Sequence, residues 1–169
     1  MRRVIVCLTG MMMTMGAMAQ GGAVQTGSVQ VKGMDDRTAE ALLTQAKTLL
    51  EQARKTESGN VAVTLEKYPE HFTMLSVRVK SGGAEVHANY NDIFIALDGE
   101  AIVITGGTVV DPKEVSPGET RGPEVEGGVF TVMRKGDVMH ISPGVPHQTM
   151  VAPGKTFTYY VVKIAAPKE

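Results

Sequence analysis

Gly136-Asp137-Val138-Met139-His140-Ile141-Ser142-Pro143-Gly144-Val145-Pro146-His147 is the stretch on which the fold turns. Gly136 and Asp137 bring the chain round into a short strand, since glycine reaches backbone conformations closed to other residues. Pro143-Gly144-Val145-Pro146 turns it again, and His147 opens the next strand. Strand, tight turn and strand within so short a span set a β rhythm, and the neighbouring sequence keeps it.

Runs rich in Val, Ile, Thr and aromatic residues, separated by turn residues, predict strands at 61–68, 72–80, 84–88, 93–97, 100–105, 129–134, 137–141, 147–151 and 157–164. Asp98-Gly99 predicts a hairpin turn between two of them. Many short strands at regular spacing indicate a sandwich or barrel. Residues 93–97 (Ile-Phe-Ile-Ala-Leu) are apolar on both faces and should lie centrally. Residues 105–128 interrupt the pattern with many Gly and Pro and predict a long loop or loose hairpin. Glu119 and Arg121 are its best site candidates, against the plainer reading of solvated loop charges.

Upstream, residues 35–55 predict one helix. Leu42, Leu43, Ala46, Leu49, Leu50 and Ala53 recur at helical spacing, and Asp35 or Asp36 can cap the start. The stripe should pack on the outside of a sheet, with a dimerisation or assembly helix as the rival reading. Residues 20–34, rich in Gly, Gln, Ser and Thr, read as a flexible leader. Arg2-Arg3, an apolar stretch from Val4 to Met15 and Ala17-Met18-Ala19 match the three parts of a secretory signal peptide. The expected organisation is therefore a signal at 1–19, a leader at 20–34, a helix at 35–58 and a β-barrel domain at 59–166. The mature protein is expected in the periplasm or secreted.

The net charge of −1 becomes more negative once Arg2 and Arg3 are removed, and basic runs are absent. That argues against nucleic acid, and against a membrane after signal cleavage. Cys7, the one cysteine, lies inside the signal, so the mature chain has no thiol. Disulfides, thiolate catalysis and cysteine-held zinc are excluded, and any metal must be held by nitrogen and oxygen.

Those atoms converge in two places. In Gly83-Ala84-Glu85-Val86-His87, strand alternation points Glu85 and His87 the same way. Asp92 begins the following strand, and a barrel can bring His147 up to His87. His140 either faces the cavity as an acid–base group or is a hydrogen-bonded structural histidine. His71 sits in a turn and reads as a surface residue. One of the neighbours Tyr159 and Tyr160 must point inward.

With these residues in view, the sequence resembles the cupin superfamily over residues 61–164, in particular its small secreted single-domain members. Gly83, His87, Asp92 and Gly99 fit the first cupin motif, with Glu85 where a histidine is usual and Asp92 for the usual glutamate. Gly136, Gly144 and His147 fit the second, with Ser142 replacing its proline. The stretch from Gly154 to Lys163 is also similar. The resemblance implies a jelly-roll β-barrel with a divalent metal (Fe, Mn, Ni or Zn) held by Glu85, His87, Asp92 and His147. Glu85, as an alternative general base, and His140 are the candidate catalytic residues. Three functions then compete: a metal-dependent oxygenase, isomerase or lyase on a small organic molecule; a non-catalytic domain binding a sugar or aromatic acid; and an assembly role. The sequence does not decide between enzyme and binder. A homodimer is the protein partnership to test.

Overall fold

In a computed structural model, residues 36–167 are described. The expected signal and leader lie outside them.

The helix, α1, runs from Ala39 to Ala53. It starts later than the sequence predicted because Thr38, not an aspartate, caps it: the Thr38 hydroxyl accepts the Ala41 N–H at 3.1 Å. Leu42, Ala46, Leu49 and Ala53 form its buried stripe. Leu42, Ala46 and Leu49 pack on Leu75 and Val77, with Val61, Val63 and Tyr160 at the margins. The helix thus covers the outside of a sheet, as its periodicity implied. Among the described residues no helix is long and apolar enough to cross a membrane.

Twelve strands follow: β1 (Asn60–Lys67), β2 (His71–Arg78), β3 (Ala84–His87), β4 (Tyr90–Thr105), β5 (Thr108–Val109), β6 (Lys113–Ser116), β7 (Glu119–Gly122), β8 (Val125–Glu126), β9 (Val129–Arg134), β10 (Val138–Ile141), β11 (His147–Met150) and β12 (Phe157–Ala165). Ten join in one antiparallel sheet along the path β1-β2-β12-β4-β11-β3-β7-β6, with β9 and β10 added to β4. β5 and β8 pair separately.

The sheet curls because β4 serves both of its faces. Its first half pairs with β12 and β10, and its second half with β11 and β9. Asp98-Gly99 is therefore no hairpin turn. Gly99 takes φ +74°, opposite Phe157, where the strand passes from one face to the other. A Cβ at Gly99 would run into the Thr156 carbonyl, so this crossing needs glycine. Between the faces lies the core of Phe94, Val103, Met133, Phe157, Tyr159 and their neighbours. The architecture is the expected mainly-β, cupin-type barrel with one N-terminal helix.

Of the two readings of segment 105–128, loop or loose hairpin, the hairpin holds, because the segment contains β5 to β8. β6 and β7 form a hairpin, and β7 extends the sheet by pairing with β3. The buried Gln148 fastens the end of this segment to the barrel. Its side-chain oxygen accepts the Val125 N–H at 3.1 Å, and its Nε2 donates to the Gly82 carbonyl at 2.8 Å. Local sequence could not foresee the β7–β3 pairing, since both strands are short and lie far apart along the chain.

Leu49→Ala should cost about 2–5 kcal/mol, because the cavity it leaves lies between helix and sheet. Lys47→Ala, on the exposed side of α1, should change stability by no more than about 0.5 kcal/mol. Urea unfolding followed by far-UV circular dichroism makes the comparison.

Candidate metal centre

Three adjacent strands build the site. On β3, alternation sends Ala84 into an outer apolar cluster, with Val86 packed against it, and turns Glu85 and His87 inward. β11 sets His147 opposite Glu85 from one side. β7 sets Arg121 opposite Glu85 and Glu119 opposite His87 from the other. Asp92, near the start of β4, completes the group.

Both imidazoles are buried and tethered by Nδ1. His87 Nδ1 lies 2.7 Å from Glu119 Oε2. An ionised carboxylate only accepts, so Nδ1 carries the proton, and in the neutral imidazole Nε2 is then the free lone pair. His147 Nδ1 donates to the Val145 carbonyl at 3.1 Å, which leaves its Nε2 bare as well. Neither Nε2 has a hydrogen-bond partner, although both are buried. Such atoms are costly to leave unsatisfied. The ring centroids are 5.1 Å apart. His87 Nε2 is 3.4 Å from Glu85 Oε2 and 3.4 Å from Asp92 Oδ2. One ligand atom each from Glu85, His87 and His147 fall within 4.8 Å of one another.

The electrostatics match this donor set. Burial pushes the Glu85 carboxyl up, but His87, Arg121 and Arg78 outweigh it and hold the pKa at about 2. Glu85 is thus ionised at any ordinary pH. Burial dominates at His147 and lowers its pKa, and this favours the neutral imidazole a metal needs. Two imidazole nitrogens and a carboxylate oxygen on one small space suit a first-row divalent cation. Glu119 behind His87 supplies the outer carboxylate that commonly fixes a ligating histidine.

Asp92 reaches the same space but is already engaged. Lys163 Nζ donates to its Oδ1 at 2.6 Å and its Oδ2 at 2.8 Å. His140 is not brought to the cluster. It shares the exposed face of β10 with Val138, and its Nε2 lies 3.0 Å from Asn91 Oδ1. Met139 and Ile141 take the inward face instead. Of the two tyrosines, Tyr159 points inward and its hydroxyl accepts from Arg78 Nε at 3.0 Å. Arg121 Nη2 is 3.1 Å from Glu119 Oε2. Both loop candidates therefore belong to the site and are not merely solvated charges.

Arg78 and Lys163 escaped the sequence reading. Phe72, Met74, Ser76 and Arg78 form the inner row of β2, and Tyr159, Val161 and Lys163 that of β12. A cation ending an inward row must find a buried partner, and that was the available signal. The cluster opens into a cavity of about 300 Å³. Phe72, Met74, Phe94 and Val161 give it an apolar wall.

No family model matches the chain, and no curated protein does. Solved structures resemble it. TT1209 from Thermus thermophilus gives a TM-score of 0.50 at 16% identity, over 79% of this chain and 100% of that one. A Cupin 2 conserved barrel domain protein from Salinispora arenicola gives 0.48 at 20% identity, over 79% and 90%. The DMSP lyase DddQ from Ruegeria pomeroyi gives 0.47 at 14% identity, over 65% of this chain. The match covers 49% of DddQ, so this chain spans about half of that protein's length. At such identities the likeness is one of fold alone.

Glu119→Gln should weaken Zn(II) binding by about 10–100-fold, because an amide no longer fixes the His87 tautomer. Competition with a chelating dye measures it, and unchanged affinity would count against the role given to Glu119.

Proposed function

We propose that the chain is an exported metalloprotein whose pocket binds one divalent cation through Glu85, His87 and His147 and acts on a small organic molecule. The carrying observation is the pair of bare, buried Nε2 atoms that share one space with an ionised Glu85. An ion there would supply Lewis acidity to an oxygen-bearing ligand. The chain's own residues do the rest. Glu119 and the Val145 carbonyl fix both imidazoles, Arg78 and Arg121 keep Glu85 ionised, and the apolar wall receives the ligand's carbon skeleton. An oxygenase, isomerase or lyase fits such a pocket, and Fe, Mn, Ni and Zn all suit its ligands.

One observation favours a second reading, a metal-free domain that binds a sugar or an aromatic acid. Arg78 with Glu85, Arg121 with Glu119, and Lys163 with Asp92 already neutralise the acids of the pocket in pairs. Ligand binding that survives His87→Ala with His147→Ala would select it.

We also propose a homodimer through β9. Its outer edge has no strand partner among the described residues, and it exposes Val129, Phe130 and Val132. Unprotected edges of this kind invite pairing, and sedimentation velocity tests it.

Elemental analysis of the mature protein, purified without chelator, should find a stoichiometric first-row metal that His147→Ala loses. A metal-free wild type contradicts the metal reading. N-terminal sequencing of the exported protein should begin at Gln20.

A further inference from the structure

Asp92 stands close enough to the two bare imidazole nitrogens to be a further ligand, at 3.4 Å from His87 Nε2 and 3.8 Å from His147 Nε2. Yet both of its oxygens are held by one ammonium group, at 2.6 and 2.8 Å. We propose that Lys163 is a positioning residue that keeps the Asp92 carboxylate off the metal, so that the ion takes only Glu85, His87 and His147 from the protein and keeps open positions toward the cavity. This inference rests on the metal reading above and says how that site stays accessible.

Burial makes the pair hard to separate. The side chain of Asp92 is 3% exposed and that of Lys163 14%. If Asp92 turned onto the ion, the Lys163 ammonium would be left buried without its carboxylate. Breaking one side of a buried pair in that way is strongly unfavourable. The backbone holds the pair in place as well. Lys163 lies directly opposite Asp92, in a β12–β4 register that runs unbroken from Tyr159 to Ala165. A slip by one residue would turn Lys163 out of the cavity and send the inward Tyr159 and Val161 with it. Glu85 differs in kind. Its two arginine contacts are long, 3.4 Å to Arg78 and 3.9 Å to Arg121, so its oxygens remain usable.

The division of labour would leave two nitrogens and one carboxylate to hold the ion. Glu85 and His87 also line the cavity, from which a ligand would approach. With Asp92 also bound, that approach would narrow.

Co(II) is the probe, because the intensity of its d–d bands reports coordination number independently of any activity. Lys163→Leu should free Asp92 to bind, raise Co(II) affinity by about tenfold or more and change the spectrum. Adding Asp92→Asn should return both affinity and spectrum to wild-type values. The double variant removes the whole buried pair, so it decides the matter even if the single variant fails to fold. A loss of about tenfold in the double variant would mean that Asp92 ligates in the wild type, and would overturn the proposal alone. Lys163→Leu with wild-type affinity and spectrum would overturn it too. Wild-type protein that takes up no Co(II) would instead remove the metal reading, and this inference with it.

Discussion

The hydrogen bond from His87 Nδ1 to the Glu119 carboxylate, at 2.7 Å, is the constraint on which the site depends. It exists because β7 pairs with β3 in the register that sets Glu119 opposite His87. That pairing in turn needs the Gly- and Pro-rich segment to fold back on the barrel, where Gln148 fastens it. Once Glu119 accepts the hydrogen bond from Nδ1–H, the neutral tautomer is settled and Nε2 has only the interior to face. The β7–β3–β11 ladder sets Arg121, Glu85 and His147 side by side in the same row.

Charge is arranged with equal economy. Glu85, Asp92 and Glu119 share the cavity with Arg78, Arg121 and Lys163. Buried ions need partners, and breaking such a pair costs more than making it returns. The pairs are unequal. Asp92 is gripped at both oxygens, while Glu85 is only flanked. That inequality separates a carboxylate free to bind a cation from one committed to its lysine.

Much of this was legible in the sequence, for identifiable reasons. Strand alternation alone puts Glu85 and His87 on one face, and the turn before His147 marks where a strand must begin. The amphipathic stripe from Leu42 to Ala53 located the helix and the side it buries. What resisted reading depends on distant partners. Asp98-Gly99 looks like a hairpin locally, and becomes a crossing only because β9, β10, β11 and β12 take the two halves of β4 apart. Glu119 lies in a stretch with loop composition, and its pairing with β3 is set by contacts far along the chain. His140 follows Val138 outward by the same alternation that placed Glu85, but the sequence does not say which face of β10 is the inner one.

Anomalous diffraction at the zinc edge, from crystals of Zn(II)-loaded protein, tests the central claim most directly. The account requires one peak at about 2.0–2.2 Å from His87 Nε2, His147 Nε2 and a Glu85 oxygen, with Asp92 still on Lys163. Zinc bound elsewhere, or loaded protein with no peak between these three residues, would contradict it.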